Sequence, residues 1–360
     1  MIPVTRPFLP PLGDYHRLLD EVWESQWLTN FGAKHRALEH ALAQDAGVDA
    51  VFVSSGTTAL VLALRGLELR GDVLTTPFSF IATTTAIAWS NCTPRFVDID
   101  PETLNIDPAA LEAALTPSTT AILATHTYGN PCDDDALVAF ARAHGLRLVY
   151  DAAHAFGVSW RGRSLFARGD VSIASLHATK LFHTVEGGVV YTSDAALTDR
   201  FRRLRDFGGQ QEPRWTVPGI NAKNSELHAA MGLAILPYLD DILQVRRAQG
   251  QRYRRALSGV VRFQRIVDDT QYTHAFVPVL LPNEATTVAV QKALREADIE
   301  ARRYFWPLLS EAPWAESTHT PVAAEIARTV LCLPIYHTLA DADIDRICEI
   351  VVRASAARAL

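Results

Sequence analysis

From about residue 50 the sequence alternates short β-branched runs with longer helical patterns, and nothing else in it restricts the fold as tightly. AVFVSS (50–55) reads as a strand, and TTALVLALRGLEL (57–69) behind it has the apolar spacing of a buried helix. DVLTTPFS, PRFVDID, TAILATHTYG, RLVYDAA, DVSIASLHA and GGVVYTSD follow as further strand candidates. Helical segments separate several of them, such as DDDALVAFARAHG (133–145) with its acidic start and terminal Gly. Strands alternating with helices predict an α/β fold, a mainly parallel sheet covered on both faces.

The pattern shifts near residues 225–257, which predict a long helical region bent around Pro237. Beyond it the expected order is strand (HAFVPVLL), helix (TTVAVQKALREADI), strand (EARRYF) and a last helix from about Asp341. That order predicts a large domain over 1–236, with an N-terminal arm, and a smaller C-terminal α/β domain over 237–360. There is no internal repeat and no low-complexity linker.

Composition narrows the partners. With 360 residues, 48% of them apolar and a formal charge of −6, the chain has material for a packed core and no basic footprint for nucleic acid or an anionic membrane. Cys92, Cys132, Cys332 and Cys348 form no Cys-x-x-Cys pair, so they read as reduced thiols in or near the core. No cationic start with an apolar run opens the sequence, and no stretch is apolar enough to span a bilayer. The expectation is a soluble, cytoplasmic protein without nucleic-acid or membrane partners.

Three features carry chemistry, and their order says more than any one of them. SSGTTALVLAL (54–64) leads from a strand through Ser-Ser-Gly-Thr into a helix. A helix start offers free N–H groups and a positive dipole end to a phosphate, and Gly56 lets the anion approach the backbone. Alone, the segment is equally an N-capped helix after a strand. LVYDAAHAFG (148–157) ends an apolar strand in Asp151, with His154 just beyond. Open parallel sheets bind ligands at such strand ends, and a carboxylate there can pair with a protonated pyridine nitrogen. Alone, Asp151 is also a helix cap. SLHATKLFHTVEGGVV (175–190) sets Lys180 among small and aromatic residues before Glu186 and a Gly pair. A lysine in a partly apolar setting loses its proton and becomes an amine able to form a Schiff base. Alone, it is a solvated lysine near a turn.

Together they read as a phosphate cradle, a ring-nitrogen carboxylate and an imine lysine. The run S-x-H-A-T-K-x-x-x-T-x-E-G-G, preceded by D-A-A-H-A-F-G, resembles the DegT/DnrJ/EryC1/StrS family of sugar aminotransferases. The resemblance extends from TRPFLP and WLTNFG (27–32) to LPIYHTL (333–339). It implies a fold type I aminotransferase that uses pyridoxal 5′-phosphate. Lys180 matches the lysine that holds the cofactor as a Schiff base and later moves a proton between carbon centres. Asp151 matches the aspartate facing the pyridine nitrogen, and His154 the residue packed near the ring and its phenolic oxygen. Gly56, Thr57 and Ser175 match phosphate donors, and Phe80 in PFSFIAT matches an aromatic stacked on the cofactor; otherwise Phe80 is a core residue. Asn221 in PGINAKNSEL matches an asparagine reaching the neighbouring subunit's phosphate, which implies a homodimer with shared active sites.

Three positions depart from the family pattern. Lys223 replaces an arginine, Asn224 a methionine, and Leu309 in YFWPLLSEAP (304–313) a histidine. The Trp306-Pro307-Leu308 frame persists, so a pocket wall with altered contacts is expected. The implied reaction transfers an amino group from L-glutamate to a nucleotide-linked keto-hexose. The H-A-T-K version resembles members that aminate C4, whereas C3 members more often carry a Y-P-x-K-N segment. dTDP-4-keto-6-deoxyglucose is the favoured acceptor, with UDP or GDP sugars open. Rival readings are 3-amination, a sugar dehydratase of the same family (where histidine typically replaces the lysine), and a cofactor-binding regulator without turnover. For the last, neither a helix-turn-helix nor a basic surface is present.

Overall fold

A computed structural model describes residues 1–210, 213–316 and 318–356. The strands are β1 (Asp49–Val53), β2 (Gly71–Thr75), β3 (Cys92–Phe96), β4 (Thr119–Thr125), β5 (Arg147–Asp151), β6 (Ser159–Trp160), β7 (Arg163–Ser164), β8 (Val171–Ser175), β9 (Gly188–Thr192), β10 (Arg262–Phe263), β11 (Thr270–Gln271), β12 (Val277–Leu280) and β13 (Val330–Leu333). Seven of them form one sheet in the order β1-β9-β8-β5-β4-β2-β3. β2–β3, β2–β4, β4–β5 and β5–β8 pair in parallel, whereas β9 is antiparallel to both β8 and β1. The reversal follows from the connection. Residues 176–187 form turns and no crossover helix, so β9 returns beside β8 in the opposite sense.

Helices cover both faces of this sheet. β5 is buried at four of its five residues and β9 at all five, as expected of strands enclosed on two sides. Val51, Val53, Val149 and Ile173 pack with Leu60, Leu64 and Phe201 on one face. On the other, Phe52, Ala174 and Tyr191 meet Leu38, Leu42 and the stacked pair Phe156–Phe182, whose centroids are 4.4 Å apart.

The predicted bend at Pro237 is present: helices Glu226–Ile235 and Leu239–Ala256 meet across a 3₁₀ turn at Leu236–Tyr238. The second of these leads to a three-stranded antiparallel sheet, β10-β12-β13, with helices Glu284–Glu296 and Asp341–Ala356 packed on each other. One expectation fails here. EARRYF is not a strand; it forms a single bridge, Arg302 to Cys332. Tyr304 N–H then donates to Arg302 O, and the rings of Tyr304 and Phe305 turn into a cluster with Phe78, Tyr128 and Phe276. Aromatic burial outweighs continuation of the ladder. The third strand is instead β13, made of VLCL. The N-terminus joins the same region, with Ile2 bridging to Ile299 and Ile335 N–H donating to Val4 O.

Candidate active site

β1, β5 and β8 end at the same edge of the large sheet, and β9 begins there. Their ends border a cavity of about 420 Å³. Of the residues singled out in the sequence, Gly56, Thr57, Phe80, Asp151, His154, Ser175 and Lys180 line it, as does Glu186. Asn221 does not. It is exposed, outside the cavity's lining, and bridges to Asp206.

Helix Gly56–Gly66 begins at the cavity with Ser55 as N-cap, its hydroxyl accepting from Thr58 N–H at 3.1 Å. Gly56 N–H and Thr57 N–H belong to the first turn and have no carbonyl behind them in the helix. Two glycines are needed for this approach. A Cβ on Gly56 would stand 2.8 Å from Ser175 Cβ, and one on Gly188 would stand 2.2 Å from Ser55 O. Gly188, at the start of β9, therefore lets the helix start sit against the sheet; the Gly pair does more than shape a turn.

Asp151 closes β5 and is 5% exposed. Its Oδ2 accepts from Thr83 Oγ1 at 2.7 Å and its Oδ1 from Ala153 N–H at 3.1 Å. Burial pushes this carboxyl up; the two hydrogen bonds and the nearby Lys180 charge oppose it. Burial acts on Lys180 in the opposite sense, pulling its amine down to about 8 against the attraction of Asp151. The amine, 6.0 Å from the centroid of Phe276, lies on the cavity wall, partly accessible but less hydrated than a surface lysine. His154 is held well below the usual imidazole range by burial and by the Lys180 charge. Its Nδ1 accepts from Tyr128 N–H at 3.3 Å, which leaves the proton of the neutral ring on Nε2. Phe305 stacks parallel to it at 5.8 Å.

Phe80 is not a core residue. It is 56% exposed and presents its ring to the cavity from the segment before helix Ile81–Trp89. The departures from the family pattern have local partners. Lys223 Nζ pairs with Asp206 at 2.7 Å, and buried Asn224 donates to Glu186 O at 2.9 Å and to Val53 O at 3.3 Å. Leu309 is buried outside the cavity, its N–H donating to Pro77 O. Of YFWPLLSEAP, Tyr304 and Phe305 line the cavity, whereas the Trp306-Pro307-Leu308 frame expected as a pocket wall does not; sequence reasoning missed Phe276 and Arg302, which with them close the cavity from the side of the small sheet. Only the chain's return over the strand ends brings them there, and no local pattern records that. Among the described residues no group of three or more His, Cys, Asp or Glu could hold a metal ion, and no helix is long and apolar enough to cross a membrane.

The cavity fits pyridoxal phosphate. A helix start with unused N–H groups suits the phosphate. The recorded hydrogen-bond partners of the buried Asp151 carboxylate are neutral, so it can accept a ring-nitrogen proton, and Lys180 supplies an amine poised near neutrality.

Comparison with known proteins agrees. Residues 14–352 match the DegT/DnrJ/EryC1/StrS aminotransferase family. The chain is 35% identical over 365 residues to a dTDP-4-amino-4,6-dideoxy-D-glucose transaminase of Escherichia coli, covering 98% of each. It is 36% identical over 329 residues to a UDP-N-acetyl-3-dehydro-alpha-D-glucosamine 3-aminotransferase of Acidithiobacillus ferrooxidans, covering 89% of each. Among solved structures, that of DesI in the presence of its TDP-sugar product superposes with a TM-score of 0.93 at 35% identity, over 99% of this chain and 95% of that one. The chain belongs to the DegT/DnrJ/EryC1/StrS aminotransferase family, and its cofactor is pyridoxal 5′-phosphate.

Proposed function

We propose that the protein moves the amino group of L-glutamate to C4 of a nucleotide-linked 4-keto-6-deoxyhexose, with dTDP-4-keto-6-deoxyglucose as acceptor. The observation that carries this reading is the convergence of Lys180, Asp151 and the Gly56–Thr57 helix start on one cavity. Pyridoxal phosphate, when bound, supplies the carbonyl that takes the amino group and the electron sink for the carbanion. The protein supplies the rest. Gly56 N–H, Thr57 and Ser175 hold the phosphate at the helix start. Asp151 would hold a proton on the ring nitrogen, and neutral His154, with its Nε2–H, and Phe80 would pack against the ring. Lys180 Nζ would take the proton from the donor's α-carbon and return it to the carbon on the other side of the nitrogen, a task suited to an amine near neutrality. Water would then release 2-oxoglutarate, leaving the amino group behind, and a keto-sugar would condense with it, lose water and run the same proton transfer in reverse to give the amino sugar.

The acceptor rests on the relatives. The E. coli protein and DesI are named for a dTDP-sugar and a TDP-sugar, and both align along nearly the whole chain. Incubation with ¹⁵N-glutamate and dTDP-4-keto-6-deoxyglucose should place the label on C4 of the product. Label that enters only a UDP-linked 3-keto-sugar would favour the second reading, 3-amination, to which the A. ferrooxidans relative points. We further infer a homodimer with shared active sites. Asn221 is exposed and does not line its own cavity, and Trp23, Trp27, Trp89 and Trp215 are each more than half exposed. The division into 1–236 and 237–360 follows the bend at Pro237. Four unpaired thiols suit a cytoplasmic enzyme.

A further inference from the structure

Beside Asp151 runs a chain of buried hydroxyls, one of which, Ser79, also borders the cavity, and the mechanism above does not use it. Thr83 Oγ1 donates to Asp151 Oδ2 at 2.7 Å. Ser79 Oγ lies 2.9 Å from Thr83 Oγ1 and 3.0 Å from Thr125 Oγ1. Thr83, Ser79 and Thr125 are each no more than 2% exposed. They come from separate places: Ser79 from the segment before helix Ile81–Trp89, Thr83 from its first turn, Thr125 from the end of β4, beside Asp151 in the sheet register.

The chain has a direction. An ionised carboxylate only accepts, so Thr83 must donate to it. Thr83 can then accept from Ser79, and Ser79 from Thr125. All three O–H dipoles turn their positive ends toward Asp151, and in a buried setting such dipoles strengthen one another. Protonation of Asp151 would remove the reason for this order. The Ser79–Thr83 link spans Phe80, and Thr83 and Ser79 bond in turn to Asp151 and Thr125, so the chain ties the segment carrying Phe80 to the ends of β5 and β4.

We propose that Thr83, Ser79 and Thr125 are positioning residues, a one-way hydroxyl chain that keeps Asp151 ionised and aimed at the ring nitrogen before the cofactor arrives. The proposal rests on the reading that Asp151 meets that nitrogen. Burial pushes this carboxyl toward its neutral form, and the hydroxyl chain adds to Ala153 N–H and the Lys180 charge in favouring the ionised one.

The probe for the test is pyridoxamine 5′-phosphate, which cannot bond to Lys180 and so reports the ring and phosphate contacts alone. Its equilibrium affinity for the cofactor-free protein is measured against pH for wild type, T83V, T83S, S79A and D151N, with circular dichroism as a check on folding. Losing a hydrogen bond to a buried charge should weaken T83V about tenfold at neutral pH and raise the pH at which affinity falls off in acid by about one unit. T83S should behave as wild type, and S79A should move in the same direction by less, keeping the test alive if T83V folds poorly. A T83V acid limb at the wild-type position, or a T83S loss as large as that of T83V, would overturn the hydroxyl chain. If D151N bound as wild type, the role of Asp151 itself would be wrong and the proposal would fall with it. If D151N is weak and T83V is not, only the hydroxyl chain is wrong.

Discussion

Gly188→Ala tests the link between packing and cofactor binding. Gly188 opens β9 directly under the turn that starts the phosphate-facing helix. Its added Cβ would meet Ser55 O at 2.2 Å, Ser55 C at 2.4 Å and Gly56 N at 2.7 Å. All three are backbone atoms, so no side chain can swing aside. Ordinary contact needs about 3.4 Å or more, so the helix start or β9 must move by about 1 Å. Overpacking of this kind costs about 1–3 kcal/mol, and the upper end applies where backbone must move. At about 2–4 °C per kcal/mol or less, Tm should fall by about 5 °C. A shift of about 1 Å also takes N–H groups at Gly56 and Thr57 out of hydrogen-bond range of a phosphate, so cofactor affinity should fall at least about tenfold. Gly13→Ala is the control: Gly13 lies inside helix Leu12–Ser25 with nothing within 4 Å of a Cβ, so Tm should hold or rise. Differential scanning fluorimetry and a cofactor titration read both effects. A Gly188→Ala protein with wild-type Tm and wild-type affinity would refute the reasoning.

Other consequences can be measured directly. Lys180 titrates near 8, so the rate at which cofactor-free protein captures pyridoxal phosphate should rise about tenfold per pH unit below that value and flatten above it. Asp151 raises the lysine's pKa, so Asp151→Asn should move that limb to lower pH; borohydride trapping followed by mass spectrometry reads both. Phe182 is fully buried and stacked on Phe156, so Phe182→Ala should destabilise by about 3–5 kcal/mol in urea unfolding of the cofactor-loaded protein. Asn221→Ala and Lys180→Ala proteins, each inactive, should regain activity when their subunits are mixed and exchanged. No recovery in verified heterodimers would remove the shared site.

The strand-helix alternation was readable because strands enclosed on both faces are nearly continuous apolar runs, as at RLVYD and GVVYT. The chemistry was readable because Asp151 closes a strand and Gly56 and Lys180 follow shortly after strands, beside small residues that leave room. What the sequence hid was set by distant partners. Helix Ala33–Ala46 starts at Gly32 without a side-chain cap of its own. Its first N–H groups are taken by Glu226, with Lys34 N–H at 2.7 Å and His35 N–H at 3.0 Å. Lys34 and His35 are themselves buried, which blurs the apolar period. EARRYF has alternation enough for a strand, yet the pull of Phe78 and Tyr128 on Phe305 decides its path. The hydroxyls beside Asp151 lie 46 residues apart at Ser79 and Thr125, and only the sheet order joins them.

The central claim is that Lys180 is the amine that bonds the cofactor and serves the amino transfer. The direct test is the near-ultraviolet and visible absorption of the protein with pyridoxal phosphate, before and after L-glutamate, for wild type and Lys180→Ala. A visible band in the wild type that glutamate converts to the pyridoxamine phosphate spectrum, and that Lys180→Ala lacks before glutamate is added, is the predicted result. A wild type without any lysine-bound band, or a Lys180→Ala protein that reproduces the wild-type band and its response, would contradict the account.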